Sequence, residues 1–360
     1  MSGQFGLFGS DEEPEDDAPS AAAPTPAEKA TRGVGPVIQE EAIHALGRDL
    51  IQQLPGQIHL GTSTWSFPGW AGIVYDKAAS ESTLSRRGLR AYSAHPLLRA
   101  AGIDRSFYSP LSLAEYSEYA RQVPGHFRFI VKAPAYITDE LRRDDKGRGT
   151  DMNPRFLEVD GAFEDFIKPA IAGLGEKAGP LVFQFSPLSR QTLNNVSAFI
   201  NRLHGFLYAL KQRSEGFSVQ PLLAVEVRNG ELLTREFADA LKDVGARYCL
   251  GLHARMPTAE EQLPILRALW PGELVVRWNL HSGFRYEEAK AQYAPFNRLV
   301  DEDPHTRATL ARVIAATAAA GHPVYLVANN KAEGSAPLTV VKLAEAILDE
   351  IRKKAAADPR

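Results

Sequence analysis

The sequence predicts an α/β fold, a single (β/α)8 barrel of the TIM type preceded by a disordered acidic N-terminal tail. Three observations predict this barrel. Eight short, apolar, β-favouring runs recur from residue 58 onward, helical patterns lie between them, and each run ends in polar or aromatic residues. Eight strands, each followed by a helix, are typical of such a barrel. A doubly wound sheet is the competing arrangement, but it rarely needs eight such units.

The predicted elements follow one another along residues 41–354, which we assign to one barrel. The predicted strands are Ile58–Gly61, Ala101–Phe107, Phe127–Lys132, Leu181–Phe185, Leu222–Val227, Arg247–Leu252, Leu274–Trp278 and Val324–Ala328. Several of them are almost continuously apolar, as parallel strands buried on both faces should be. The predicted helices include Leu113–Val123, Leu193–Lys211, Thr234–Val244, Ala259–Leu269, Thr306–Ala319 and Thr339–Lys353. Within Thr234–Val244, residues Phe237 and Leu241 lie on the apolar face of a packed helix.

Residues 1–40 form the predicted tail, which is rich in Asp, Glu, Pro and Ala and nearly lacks large apolar residues after Phe8. Such a segment buries too little surface to offset its ordering entropy, so we expect disorder. The tail holds eight acidic and two basic side chains, a charge of −6, which leaves +3 on the remainder of a chain whose total is −3. That mildly cationic body suits an anionic ligand, whereas nucleic-acid binding usually leaves a stronger basic excess.

The composition also restricts compartment and cofactor. Cys249 is the single cysteine, so no intramolecular disulfide forms and a reducing, cytoplasmic location is expected. No apolar run reaches the ~18 residues of a spanning helix and no secretory signal is present, so no membrane partner is expected. The spacings His-x-x-x-His and His-x-Glu, the Walker loop and the dinucleotide fingerprint are all missing. We therefore expect no metal and no cofactor.

Functional groups of such a barrel lie at the carboxyl ends of its strands. The candidate ligand-binding residues at or after these ends are Thr62, Ser63, Trp65, Trp70, Tyr108, Gln184, Arg228, Arg277, Asn329 and Asn330. The candidate catalytic residues are Glu226 and Lys132. Glu226 and Arg228 lie two apart on one strand and share a face, and the guanidinium keeps the carboxylate ionised. This favours a general base or a ligand orienter, with a buried ion pair that closes the barrel as the alternative.

Other candidates carry two interpretations each. Lys132 suits an anion site or, with a lowered pKa, a nucleophile; an ion pair with Glu226 or Asp104 is the plain alternative. The stretch after Asn330, before the last helix, suits a phosphate at a helix N-terminus or simple helix capping. The aromatic residues after the first two strands suit stacking on a sugar or base, or core packing. The segment 279–303 suits a lid or a surface excursion.

Several motifs carry a family resemblance. Gly61-Thr-Ser-Thr-Trp65-Ser-Phe-Pro-Gly-Trp70 resembles the signature Gly-Thr-Ser-Gly-Trp-Ser-Tyr-x-Gly-Trp of the YecE-like proteins, the domain of unknown function 72 family. The matching elements that follow in order are Ser106-Phe107-Tyr108, Phe129-x-Val131-Lys132-Ala-Pro134, Gly179-Pro180-Leu-Val-Phe-Gln184, Ala224-Val-Glu226-Val-Arg228 and Asn329-Asn330. The resemblance covers about residues 58–347. It implies a TIM barrel, and no settled activity comes with it.

The chain departs from the family pattern at three places. The Glu-x-Asn element of the family reads Gly102-Ile-Asp104 in this chain. Asn229 replaces the usual His, and Asn279 replaces the His of the Arg-x-His-Gly element. One carboxylate and two imidazoles of the family pattern are therefore missing, which indicates altered or lost chemistry.

Three functions are compatible with these observations. The first is an enzyme, a hydrolase or lyase, acting on a small anionic or polyhydroxyl ligand with Glu226 as base or ligand orienter. The second is a DNA-associated, repair-type protein, because Gln4-Phe5-Gly-Leu7-Phe8 resembles the Gln-x-x-Leu-Phe peptides that dock on the bacterial sliding clamp. The third is a non-catalytic ligand-binding barrel. The alternative for residues 4–8 is an uninvolved tail.

Overall fold

A computed structural model describes residues 42–143, 149–254, 256–281, 284 and 286–357. The predicted tail and its docking peptide at residues 4–8 lie outside the described residues. Within the described part, no helix combines the length and the apolar character needed to span a bilayer.

Eight parallel strands close into a barrel, and helices surround it. The described residues form ten strands in all, of which β4 and β5 lie outside the barrel: β1 (Ile58–Thr62), β2 (Ala100–Ile103), β3 (Arg128–Lys132), β4 (Leu141–Arg143), β5 (Gly149–Met152), β6 (Ala178–Gln184), β7 (Leu223–Glu226), β8 (Arg247–Leu252), β9 (Leu274–Trp278) and β10 (Val324–Ala328). The barrel order is β1-β10-β9-β8-β7-β6-β3-β2, with β2 paired back to β1. The predicted (β/α)8 barrel is confirmed. The strands β4 and β5 form a separate antiparallel hairpin that the sequence did not predict.

The α-helices of the described residues alternate with the barrel strands. They are α1 (Ala42–Gln53), α2 (Glu81–Arg87), α3 (Leu89–Tyr92), α4 (Arg105–Tyr108), α5 (Leu113–Gln122), α6 (Ala135–Thr138), α7 (Val159–Gly161), α8 (Lys168–Leu174), α9 (Arg190–Leu193), α10 (Val196–Ser214), α11 (Arg235–Val244), α12 (Ala259–Ala268), α13 (Tyr286–Tyr293), α14 (Pro304–Ala319) and α15 (Ala336–Ala357). A π-helical stretch, Ala162–Ile167, joins α7 to α8.

Helix α11 shows how local sequence sets an element. The Thr234 hydroxyl accepts a hydrogen bond from the Phe237 amide and caps the first turn. Phe237 and Leu241 are buried on the predicted apolar face. Gly245 ends the helix at φ +74°, a left-handed conformation that glycine adopts without a side-chain clash.

The prediction was wrong for the end of the second strand. It was expected to run to Phe107, but β2 ends at Ile103 and the short helix α4 follows. The Ser106 hydroxyl donates to the carbonyl oxygens of Ile103 and Lys132, which are 3.0 and 2.6 Å away. This side-chain contact favours a turn over continued strand, because serine hydroxyls compete for nearby backbone groups. The other seven barrel strands match their predictions within three residues at each end.

The barrel interior holds an apolar layer built from alternate strand residues. Its members are Ala100, Ile130, Val182, Ala224, Cys249, Val275 and Val327, one from each of seven strands. A larger apolar cluster packs the outer strand faces against the helices. The interior of such a barrel is a packed core, so a ligand reaches only the open end above this layer.

Candidate functional site

The polar site lies one side-chain step above the apolar interior layer. Because successive side chains of a strand alternate between faces, the residue two positions after each interior residue points inward again. These positions hold Gly102, Lys132, Gln184, Glu226, Gly251, Arg277 and Asn329. Five of the seven are predicted site residues. The strand periodicity turns them inward, and the register between neighbouring strands brings them to about the same level of the barrel.

Glu226 is the anchor of the site. Its side chain is fully buried, and Oε1 accepts a hydrogen bond from Arg228 Nη1. Oε2 lies 2.8 Å from Arg277 Nη1, and Asn279 Nδ2 lies 3.4 Å from Oε1. Both carboxylate oxygens are therefore engaged by charged donors, which make the stronger kind of hydrogen bond.

Gln184 and Asp104 complete the fixation of the two guanidinium groups. The Gln184 Oε1 atom accepts from Arg277 Nη1 at 2.6 Å and from Arg228 Nη2 at 3.1 Å. Arg277 Nη2 lies 2.7 Å from Asp104 Oδ2. Burial alone would lower the pKa of Arg277, but the charges of Asp104 and Glu226 outweigh it and hold that pKa well above its usual range.

Lys132 brings a third cation to the same level. Its side chain is buried, and Nζ lies 3.6 Å from the centroid of the Phe107 ring, a cation–π contact. Phe107 belongs to the short helix α4 that replaced the predicted end of the second strand. The local turn at Ser106 therefore helps to position the ammonium group.

These side chains surround a cavity of about 50 Å³ at the carboxyl ends of the strands. Its lining residues are Asp104, Tyr108, Lys132, Gln184, Arg228, His253, Arg277, Asn279, Leu280 and Asn329. Six predicted site residues are among them: Tyr108, Lys132, Gln184, Arg228, Arg277 and Asn329. Glu226 lies behind the two arginines and supports the wall of the cavity.

Gly251 is a site residue that was not among the predicted ones. A Cβ atom there would lie 2.6 Å from Oε1 of Glu226 and 2.9 Å from its Cγ. The buried carboxylate therefore occupies the space that the side chain of any residue other than glycine at position 251 would need. A glycine inside a predicted strand is a signal of close approach, and it was available in the sequence.

Five predicted ligand-binding residues lie away from the cavity wall. Trp65 and Trp70 are buried in the core, and Trp70 Nε1 donates to Asn330 Oδ1 at 3.1 Å. That same Oδ1 atom accepts from the Ala336 amide at the start of α15, so Asn330 caps a helix. The other two, Thr62 and Ser63, bond to Tyr92 and Asn329. A ligand contact by these five residues stays a prediction.

The residues that depart from the family pattern have different contacts in the structure. A Cβ on Gly102 would lie 2.5 Å from the carbonyl oxygen of Ser63, so the backbones are in contact there. Asp104, one interior step further, supplies the carboxylate that meets Arg277. The Asn229 side chain accepts from the Leu188 amide at 2.8 Å and holds a loop. Asn279 lines the cavity itself.

The segment that was expected to form a lid begins at the cavity. Leu280 lines the cavity and packs in a small apolar cluster with Ala289, Tyr293 and Phe296. At the far end of the segment the Glu333 carboxylate accepts a hydrogen bond from the Asp303 amide, and it accepts another from Arg307 on α14. The segment is thus tied to the loop after β10, and a lid function stays a prediction.

A second, larger cavity of about 640 Å³ lies between α12 and α14. Leu266, Trp270 and Val313 contribute to its mainly apolar walls, and Arg267 and Arg312 also line it. It shares no residue with the mouth cavity. We place the candidate site at the mouth because buried charged groups from several strands converge there. Within the described ranges, no group of three His, Cys, Asp or Glu side chains has the arrangement of a metal site.

Comparisons with known proteins agree with the barrel and with the motifs. The family model described as protein of unknown function DUF72 matches residues 59–360. A crystal structure of a DUF72 family protein from Enterococcus faecalis V583 is 15% identical, with a TM-score of 0.52, over 81% of this chain and 95% of that one. A DUF72 family protein from Thermotoga maritima MSB8 is 19% identical, with a TM-score of 0.52, over 80% and 98%. At these identities the structures support the fold alone. No curated protein matches the sequence. The family model covers most of the chain, so this protein belongs to the DUF72 family, as the YecE-like motifs predicted.

Proposed function

We propose that the barrel mouth binds a small oxyanion, the phosphate or carboxylate group of a small-molecule ligand. The observation that carries the proposal is the charge of the cavity. Three cations, Lys132, Arg228 and Arg277, meet two carboxylates, Glu226 and Asp104, among the described residues. Three cationic side chains that converge on one nearly buried cavity favour an oxyanion, because charged donors make the stronger hydrogen bonds to phosphate and carboxylate oxygens.

The size of the cavity supports a small anionic group. One water molecule needs about 10–15 Å³ of such volume, so a cavity of about 50 Å³ holds roughly three to five atoms of that size. This matches the oxygens of a phosphate or carboxylate group. Arginine is the usual partner for both, because its planar fork donates two parallel hydrogen bonds.

In this proposal Glu226 is a positioning residue. Of the two predicted roles, general base and ligand orienter, the contacts favour the second. Both carboxylate oxygens already accept hydrogen bonds from guanidinium groups. Glu226 is also not among the residues that line the cavity, so it is placed to hold the arginines rather than to reach a ligand. The amide side chains of Gln184, Asn279 and Asn329 add neutral donors and acceptors for hydroxyl groups of a polyhydroxyl ligand.

The test is calorimetric titration of methyl phosphate into the full chain. We expect one site per chain, and we expect Lys132→Met to weaken binding by about tenfold or more, because a hydrogen bond to a charged group contributes about 1.5–3 kcal/mol. The matched control is Lys168→Met, which removes an exposed lysine paired with Glu164. No binding at millimolar methyl phosphate, or equal affinities of the two variants, contradicts the proposal.

A further inference from the structure

The mouth cavity is too small for a whole metabolite. Ligand pockets for complete small molecules typically occupy about 300–1,000 Å³. The cavity here has about 50 Å³, enough for an anionic head group. The remainder of any ligand whose head group enters this cavity must therefore lie outside, against the lip.

Tyr108 stands at that lip. It lines the cavity, and 48% of its surface is exposed, so part of its side chain is open to solvent beside the buried polar cluster. It is the last residue of α4, so the short helix after β2 presents it at the carboxyl end of the barrel.

The Tyr108 ring is held next to a cation of the site. It packs edge-to-face on Phe107, with centroids 5.3 Å apart and planes at 87°. The Phe107 ring in turn lies 3.6 Å from Lys132 Nζ. A head group bound at Lys132 therefore places the rest of its ligand near an exposed aromatic face.

We infer that the ligand carries its oxyanion on a ring, as an aryl or sugar phosphate or carboxylate does, and that this ring stacks on Tyr108. The inference rests on the proposed function, since the anion must enter the mouth first. Stacking on an aromatic side chain needs only a flat face and suits either kind of ring. The bound ligand thus has two parts, an anionic head among the arginines and a ring at the lip.

The experiment compares three phosphate esters by calorimetric titration: methyl phosphate, phenyl phosphate and glucose 1-phosphate. We expect at least one ring probe to bind about tenfold more tightly than methyl phosphate, a gain in the range reported for one stacked ring. Tyr108→Ala brings this affinity ratio close to one, whereas Tyr108→Phe keeps it. Tyr208→Ala is the matched control, because Tyr208 is 50% exposed on the distant helix α10.

The outcomes separate this inference from the proposed function. A gain that depends on Tyr108 supports it, and the probe with the larger gain identifies an aromatic or a sugar ring. The inference is overturned if methyl phosphate binds but neither ring probe binds more tightly, or if Tyr108→Ala leaves the gain in affinity intact. The anion site stands in both cases. Failure of all three probes to bind contradicts the anion site itself, and the inference falls with it.

Discussion

Replacing Glu226 with glutamine tests whether this carboxylate stabilises the two arginines of the mouth. Glu226 is fully buried, with Arg228 on Oε1 and Arg277 Nη1 at 2.8 Å from Oε2. Removing one partner of a buried ion pair costs about 3–5 kcal/mol, because the remaining charge is left uncompensated. Asp104 and Gln184 still contact Arg277 in the variant. We therefore expect Glu226→Gln to lower the free energy of unfolding by about 3 kcal/mol, the lower end of that range.

The assay is equilibrium unfolding in urea, followed by tryptophan fluorescence and by circular dichroism, with coincident curves required. The matched control is Glu273→Gln. Glu273 pairs with Arg247, and these side chains are 30% and 19% exposed. Partly exposed ion pairs contribute little, so we expect the control to lose about 1 kcal/mol or less. Equal losses for the two variants would mean that Glu226 does not hold the arginines.

Three further predictions concern His59, Gly251 and Cys249. Burial, with the charges of Arg128 and Arg99, lowers the pKa of His59 to about 4. Between pH 6.5 and about 4 the unfolded chain binds a proton at His59 that the folded chain does not, so acidification removes about 3 kcal/mol of stability. Urea unfolding at several pH values measures this loss, and we expect His59→Asn to make it smaller. Gly251→Ala displaces Glu226 and weakens methyl phosphate binding by about tenfold in calorimetry, whereas Gly216→Ala, which adds a methyl group in open space, keeps the wild-type affinity. Burial raises the pKa of the Cys249 thiol, so a thiol reagent followed by absorbance reacts only after unfolding.

The barrel and much of the mouth were predictable because both follow from local patterns. Apolar runs gave the eight strands, and the rule that functional groups lie at strand ends selected Lys132, Gln184, Glu226 and Arg277. These four residues fall on inward-facing strand positions at one level. No distant contact had to be known to group them.

Features that depend on tertiary contacts were not predictable in the same way. The Trp70 motif residue lies in the core because its indole meets Asn330, which is 260 positions away. The need for glycine at position 251 arises from a side chain on the neighbouring strand β7. The early end of β2 depends on the Ser106 hydroxyl reaching the carbonyl of Lys132 on β3. In each case a distant partner decides between two locally acceptable interpretations.

The occupancy of the mouth can be observed in a crystal structure of the full chain grown with sodium phosphate as the only oxyanion. The proposed anion site predicts a phosphate in the cavity, with its oxygens within hydrogen-bond distance of Arg228, Arg277 and Lys132. Phosphate bound only elsewhere on the surface, with water alone between these three side chains, would contradict it.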